Sequence, residues 1–100
     1  MKSVIKTNVS SSLKTQFKMI CIRNGITISR NLERSILDLI SNKPDIPEES
    51  EFSLDDSVVV KGYIPESLKR QFHAFCVERG ISMTLVLRYL IETSVEINNQ

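Results

Sequence analysis

The chain has little of what enzymes and metalloproteins need. It contains no tryptophan, three glycines and one histidine, and neither a glycine-rich phosphate loop nor a nucleophile paired with a histidine is visible. The lone His73 follows Phe72 in a helical pattern, which is typical of a surface or half-buried position. The two cysteines, Cys21 and Cys76, form no cluster of metal-ligand spacing. We expect no enzymatic activity, metal or cofactor, and we expect both cysteines to be small buried side chains.

Long apolar runs are also missing. No segment approaches the roughly 20 apolar residues that cross a bilayer, and the first residues lack the apolar core of a signal peptide. The apolar and charged fractions, 41% and 25%, are those of an ordinary globular domain. These features favour a cytoplasmic protein without a membrane partner.

What the sequence does contain is an internal repeat. The segment CIRNGITIS at residues 21–29 returns as CVERGISMT at residues 76–84. The alignment that superposes these two segments also matches the run Ser-Leu-Lys at 12–14 with an identical run at 67–69. We call two positions equivalent when this alignment matches them. We interpret the chain as repeat 1 (residues 1–40), a linker (41–56) and repeat 2 (57–100). Each repeat is too small to bury a good core alone, so we expect the two to fold as one domain.

Charge is divided unevenly between these segments. Residues 41–56 hold six acidic residues, two prolines and one lysine with little periodicity, which predicts a linker. Residues 1–40 hold seven basic residues and two acidic ones, so the first repeat is basic. The acidic run is either a plain solvated linker or a segment that contacts basic DNA-binding residues and damps non-specific binding.

Each repeat predicts a short strand. In the first copy Ile5, Thr7 and Val9 lie on one face, and Val4, Lys6 and Asn8 lie on the other. In the second copy the corresponding face carries four residues, which are Val58, Val60, Gly62 and Ile64. Neither repeat offers a second strand to satisfy its backbone groups. The two strands are therefore expected to pair with each other.

Two helices follow each strand. Ser10 is the predicted N-cap of the first helix, and Pro65 is the predicted first residue of the corresponding helix in the second copy. Gly25 and Gly80 are expected to end these helices in the left-handed conformation. The predicted N-caps of the next helices are Ser29 and Thr84. The apolar residues that recur at helical spacing are Leu13, Phe17, Ile20, Leu32, Ile36, Leu39 and Ile40 in the first copy, and Leu68, Phe72, Phe75, Leu87, Leu90 and Ile91 in the second. The predicted fold class is mainly α with a two-stranded antiparallel ribbon, in the order β-α-α-linker-β-α-α.

This order resembles the ribbon-helix-helix family, the Arc/MetJ type of DNA-binding protein. The resemblance covers residues 3–40 and 57–94. It rests on an alternating strand that ends in V-S-x-x-L or I-P-E-x-L, a helix that ends in R-N-G or E-R-G, and the polar helix starts I-T-I-S and I-S-M-T. Family members pair two chains through an antiparallel ribbon that enters the major groove. Both strands here lie in one chain, a tandem pseudo-dimer similar to the form that conjugation accessory proteins use.

The resemblance implies a surface that reads DNA. The residues implied to face the bases are Val4, Lys6, Asn8, Val59, Lys61 and Tyr63. Lysine donates to guanine O6 and N7, asparagine pairs with adenine, and valine contacts the thymine methyl group. The residues implied to anchor phosphates with helix N-terminal N–H groups are Thr27, Ile28, Ser29, Arg30, Ser82, Met83 and Thr84.

Two features depart from a symmetric family member. Gly62 stands on the inward face where a bulky apolar residue is expected, which predicts looser packing or a local bulge. Tyr63 stands in the second copy where Asn8 stands in the first. An unequal reading surface predicts an asymmetric DNA target.

Three classes of function are compatible with these patterns. The leading hypothesis is a sequence-specific double-stranded DNA-binding protein of a plasmid, acting as a transcriptional repressor or as a conjugation accessory factor beside a relaxase, with copies side by side on DNA. The second is an antitoxin-like or other protein-interaction module that binds a toxin, and the third is a helical bundle without strands. Co-purification with a toxin would favour the second, and a low strand content would favour the third.

Overall fold

The computed structural model describes residues 1–46 and 57–98. The described chain is mainly helical with a two-stranded antiparallel sheet, which confirms the predicted class at that level. In chain order the elements are β1 (Lys2–Ser10), α1 (Ser11–Arg23), α2 (Ile28–Asn42), β2 (Ser57–Pro65), α3 (Glu66–Arg79) and α4 (Met83–Asn98). None of the helices in these two ranges is both long enough and apolar enough to cross a membrane.

The two strands pair with each other along their whole length, as predicted. The register runs without interruption from Lys2 opposite Pro65 to Ser10 opposite Ser57, with Lys6 opposite Lys61 at the centre. Residues on one face of both strands are buried and those on the other are exposed. The ribbon therefore has one face on the helices and one open face.

The prediction of loose packing or a bulge at Gly62 is wrong. Gly62 pairs in regular register with Ile5. A Cβ atom built on Gly62 would lie 3.0 Å from Leu32 Cδ1 and 3.2 Å from the Cα of Ser29. The glycine instead allows the start of α2 to approach the ribbon closely, which is the second common reason for glycine in a strand.

A single core lies between the ribbon and the helices. Val9 and Ile64 are fully buried on the inner face of the ribbon. Phe17 and Phe72 occupy the same place in α1 and α3 and are also fully buried. The other buried apolar side chains of the described helices are Ile20, Cys21, Leu32, Ile36, Leu39, Leu68, Phe75, Cys76, Val86, Leu87, Leu90, Ile91 and Val95. The predicted apolar stripes of the helices are thus the core, except that Leu13 and Ile40 are only partly buried.

The cysteines and the histidine behave as expected. Cys21 and Cys76 are buried free thiols. Burial raises the pKa of Cys76 to about 11 and also raises the pKa of Cys21, because the thiolate loses its hydration. His73 is exposed on α3. The cysteines are therefore protonated packing residues.

The predicted helix starts need correction at three positions. Ser10 is the N-cap of α1, as predicted, and accepts a hydrogen bond from Leu13 N at 3.1 Å. Pro65 lies one position earlier than predicted, since it is the last residue of β2 and the cap of α3. Ser29 and Thr84 are not caps. The N-cap of α2 is Thr27, and Ser82 takes the equivalent place before α4.

Glycine ends the first helix of each half. Gly25 and Gly80 both have φ of 66°, as expected for left-handed residues that follow a helix. The second helix of the first half continues to Asn42 and ends at Lys43 with φ of 46°. It therefore extends beyond residue 40, where the linker was predicted to begin. Most of the predicted acidic linker, residues 47–56, lies outside the described residues.

Candidate nucleic-acid interface

The open face of the ribbon carries all six residues implied to read bases. The three apolar or aromatic members, Val4, Val59 and Tyr63, are between 40% and 48% exposed. Exposed apolar side chains that lie together on one surface favour contact with a partner. The polar members, Lys6, Asn8 and Lys61, are also exposed. The alternation of the strands thus brings these side chains together on one surface.

The register arranges the six residues as three pairs across the ribbon. Val4 lies opposite Tyr63, Lys6 opposite Lys61, and Asn8 opposite Val59. Like charges directly opposite each other destabilise a strand pair. Within the described residues no acidic side chain forms a salt bridge with either lysine. A nearby anion would therefore stabilise the two ammonium groups by reducing their mutual repulsion.

The starts of α2 and α4 lie against the two strands. Ser29, in the first turn of α2, accepts a hydrogen bond through its Oγ from Tyr63 N at 2.9 Å. On the other strand the Thr7 hydroxyl donates to the Thr84 carbonyl oxygen at 2.6 Å, in the first turn of α4. These bonds fix one helix N-terminus beside each strand. Ser29 and Thr84 thus hold the helix starts to the ribbon, although neither residue is a cap.

The caps leave backbone donors available at both helix starts. Thr27 Oγ1 accepts from Arg30 N at 3.0 Å, and Ser82 Oγ accepts from Leu85 N at 3.2 Å. The first N–H groups of each helix, at positions 28 and 29 and at 83 and 84, have no intrahelical acceptor. A helix N-terminus carries roughly half a positive charge. Most of the residues implied to anchor phosphates therefore lie at two cationic helix ends that flank the ribbon.

The Arg30 side chain is paired with a carboxylate at the start of α2. Its guanidinium donates to Glu33 Oε2 at 2.9 Å while the side chain remains 61% exposed. The positive charge at the start of α2 is thus shared with a carboxylate. An anion bound there would compete with Glu33 for Arg30.

Arg88 and Lys69 are basic residues near the ribbon that the sequence reasoning missed. Arg88, whose side chain is 12% exposed, lines a shallow cavity of about 210 Å³ with Thr7, Asn8 and Ser82. Lys69 Nζ donates to the Val4 carbonyl oxygen at 3.0 Å. Comparison of the two copies could have indicated both basic residues. Arg88 stands where the first copy has the acidic Glu33, and Lys69 matches a lysine in the first copy.

Comparison of the chain with protein-family models, with curated proteins and with solved structures found no match. Within the described ranges, no group of three or more histidine, cysteine or acidic residues is arranged to hold a metal ion. The candidate interface carries hydrogen-bond donors, ammonium groups and exposed aliphatic and aromatic side chains.

Proposed function

We propose that the chain is a sequence-specific double-stranded DNA-binding protein that inserts its ribbon into the major groove, as a single-chain tandem form of the ribbon-helix-helix type. The observation that carries the proposal is the open face of the ribbon, where Lys6 and Lys61 lie opposite each other at the centre of six exposed side chains. A helix N-terminus flanks each strand. This arrangement combines base contacts with phosphate contacts.

The dimensions and chemistry of the groove suit this surface. A major groove about 12 Å wide admits a two-stranded ribbon. Lys6 and Lys61 can donate to guanine O6 and N7, and Asn8 can bind adenine N6 and N7 in a bidentate manner. The N–H groups at the starts of α2 and α4 can bind phosphates on the two sides of the groove. Base contacts supply specificity, and phosphate contacts set the register of the protein on the duplex.

The ribbon would read an asymmetric site. The two strands are antiparallel, and the repeat makes Val4 equivalent to Val59 and Lys6 equivalent to Lys61. Asn8, however, is equivalent to Tyr63. A two-fold symmetric operator would present the same base edge to both of these side chains. Because an amide and a phenol differ in their donors and acceptors, the preferred half-sites differ.

The first experiment is selection of bound duplexes from a random pool. The expected result is one asymmetric motif of a few base pairs for each ribbon. Affinity for the selected duplex and for a scrambled duplex is then measured across a salt series. The slope for a B-DNA contact is about −0.9 for each phosphate neutralised, so the series counts the phosphate contacts.

Removal of the two central lysines tests the proposed surface directly. We expect Lys6→Ala with Lys61→Ala to reduce the ratio of specific to scrambled affinity, because the lost contacts are to base edges. The matched control is Lys18→Ala with Arg34→Ala, which removes the same charge from exposed positions on α1 and α2. The control is expected to keep the ratio even if both affinities fall. An equal loss of specificity in the two variants would contradict the proposal.

A repressor and a conjugation accessory factor would use this same surface. Occupancy of a promoter in cells would assign the protein to repression. Retention of a relaxase on the protein-bound duplex would assign it to plasmid transfer.

A further inference from the structure

A cleft lies between α2 and α4, on a part of the molecule that the proposed DNA contacts leave unused. Two neighbouring cavities form it, a smaller one of about 350 Å³ and a larger one of about 540 Å³. Both are lined by Ser35 and Asp38 of α2 and by Ile97 and Asn98 of α4. Pockets that hold small molecules have volumes of this order. The cleft is therefore large enough for a small ligand.

The smaller cavity has an apolar wall that α4 provides. Tyr89, Leu90 and Ile97 lie along this wall, and Leu39 and Pro44 add apolar area from the first half of the chain. Ile97 lines both cavities and is 63% exposed. An apolar group in the smaller cavity would cover part of Ile97, and removal of apolar surface from water favours binding. This cavity suits the apolar part of a ligand.

The larger cavity lies against a polar stripe on α2. Asn31, Arg34, Ser35 and Asp38 recur at helical spacing, and all four line the cavity. The equivalent positions of α4 hold valine, tyrosine, leucine and threonine, in that order. The two second helices therefore differ most in polarity where the cleft is.

Asn31 is a buried polar side chain with an unused donor. It is 9% exposed, and its Oδ1 accepts a hydrogen bond from Ser35 Oγ at 3.3 Å. Its Nδ2 has no acceptor among the residues that the structure describes, and it opens into the larger cavity. The equivalent Val86 is fully buried, so apolar packing is sufficient at this position in the other half. A buried donor without an acceptor is costly, and a ligand in the cavity would supply the acceptor.

Arg34 and Asp38 bring unlike charges to the larger cavity. They are four residues apart on α2, yet neither takes part in a salt bridge within the described ranges. Both side chains are exposed. The guanidinium and the carboxylate are thus each available to a separate group of a ligand. A molecule that carries both a carboxylate and an ammonium group matches them, because charged partners form the stronger hydrogen bonds.

We propose that the cleft binds a free α-amino acid with a large apolar side chain. The ligand carboxylate accepts from Arg34 and from Asn31 Nδ2, its ammonium group pairs with Asp38, and its side chain enters the smaller cavity beside Ile97. Asp38 and Ile97 line both cavities, so they lie where the charged and apolar parts of the ligand meet. An α-amino acid joins these three groups at one carbon atom. This binding needs no DNA and stands apart from the proposed function.

The first test titrates the whole chain with L-phenylalanine and with L-leucine by calorimetry. We expect saturable binding of one molecule for each chain. N-acetyl-L-phenylalanine lacks the ammonium group, L-phenylalanine amide lacks the carboxylate, and glycine lacks the side chain. Each should bind at least about tenfold more weakly than L-phenylalanine, because each loses one of the three contacts. Equal affinity for L-phenylalanine and its amide, or no binding of either amino acid at its solubility limit, would overturn the inference.

The second test uses Asn31→Val, which gives α2 the residue that α4 carries at the equivalent position. We expect this variant to resist urea at least as well as wild type, because a buried unpaired donor is removed, and to bind L-phenylalanine at least about tenfold more weakly. Asp38→Asn should bind L-phenylalanine and its N-acetyl derivative with similar affinity. The matched control is Glu96→Gln, which removes the same charge from an exposed position on α4 outside both cavities.

The control variant should bind L-phenylalanine as wild type does. Wild-type affinity in Asn31→Val, or an equal loss in Asp38→Asn and Glu96→Gln, would overturn the inference. All titrations are made without DNA, so the two proposals fail separately. A chain that binds the amino acid and no duplex would contradict only the proposed function. A chain that selects a DNA site and binds no amino acid would overturn only the ligand cleft.

Discussion

At the scale of single residues, Gly62 sets how closely α2 approaches the ribbon. The sequence predicted that a glycine on the inward face would weaken packing, since it has no side chain to bury. The structure places Ser29 and Leu32 in the space that a side chain would fill. Such a contact between residues far apart in the chain cannot be derived from strand alternation, which says only which face a residue occupies.

Gly62→Ala should therefore destabilise the protein by about 1–3 kcal/mol, the usual cost of overpacking. The added methyl group meets the backbone of Ser29 as well as the end of Leu32, and backbone yields less readily than a side chain. Urea denaturation measures the free energy of unfolding. The control adds Leu32→Ala, and a double-mutant cycle should show that the glycine substitution costs less in that background. A neutral or stabilising Gly62→Ala would show that α2 is not held against the strand.

Cys76 gives a second prediction at this scale, which concerns pH. Burial raises its pKa from the ordinary value of 9.0 to about 11 in the folded protein. Well below pH 9 the thiol is protonated in both the folded and the unfolded protein, so the buried thiol makes its full contribution to the free energy of unfolding. As pH rises toward 11 the unfolded thiol ionises first, and the free energy of unfolding falls. Urea titrations between pH 7 and pH 10.5 should show a shallower fall for Cys76→Ala than for wild type, and equal slopes would contradict the assigned cause.

At the scale of elements, the helices were predictable from periodicity, whereas two of their starts were not. Ser29 and Thr84 looked like caps because each is a polar residue before an apolar stripe. Thr27 and Ser82 are equally good cap residues two positions earlier, and local sequence does not rank them. Contacts with the ribbon determine where each helix starts. Ser29 accepts a hydrogen bond from Tyr63 N, and the Thr84 carbonyl oxygen accepts one from the Thr7 hydroxyl.

The corrected cap positions predict different costs for two similar substitutions. Thr27→Ala should destabilise the protein by about 1 kcal/mol, because Arg30 N loses the acceptor that Thr27 Oγ1 provides at 3.0 Å. Thr84→Ala should change stability by no more than about 0.5 kcal/mol, since that side chain caps no helix. Thr27→Ser keeps the cap and serves as the control. The reverse order of the two costs, measured by urea denaturation, would contradict the cap at Thr27 and would make Thr84 the cap of α4.

At the scale of the whole molecule, the two halves are in close contact. Each contributes one strand to the sheet, α2 approaches β2 at Gly62, and α4 bonds to β1 at Thr7. The sequence predicts that neither half folds alone, because neither half has a second strand. The sequence did not indicate which helix lies on which strand. The second helix of each half lies on the strand of the other half, and this arrangement follows from the three-dimensional packing of the two halves.

Separated halves should therefore be unfolded at micromolar concentration. We expect peptides of residues 1–46 and 57–100 to show little helical circular dichroism alone, because each lone strand leaves backbone groups unpaired. An equimolar mixture should regain the signal and unfold cooperatively at a temperature that rises with concentration. A single half that unfolds cooperatively and independently of concentration would contradict the shared core.

We propose above that the open face of the ribbon reads base edges in the major groove. The most direct measurement substitutes a 7-deazapurine for each purine of the selected site in turn, which removes the N7 acceptor and leaves Watson–Crick pairing intact. Affinity is measured for wild type and for Lys6→Ala with Lys61→Ala. We expect at least one purine at which wild type loses about 1–3 kcal/mol of binding free energy and the lysine variant loses none. Substitutions that are all neutral, or that weaken both proteins equally, would contradict it.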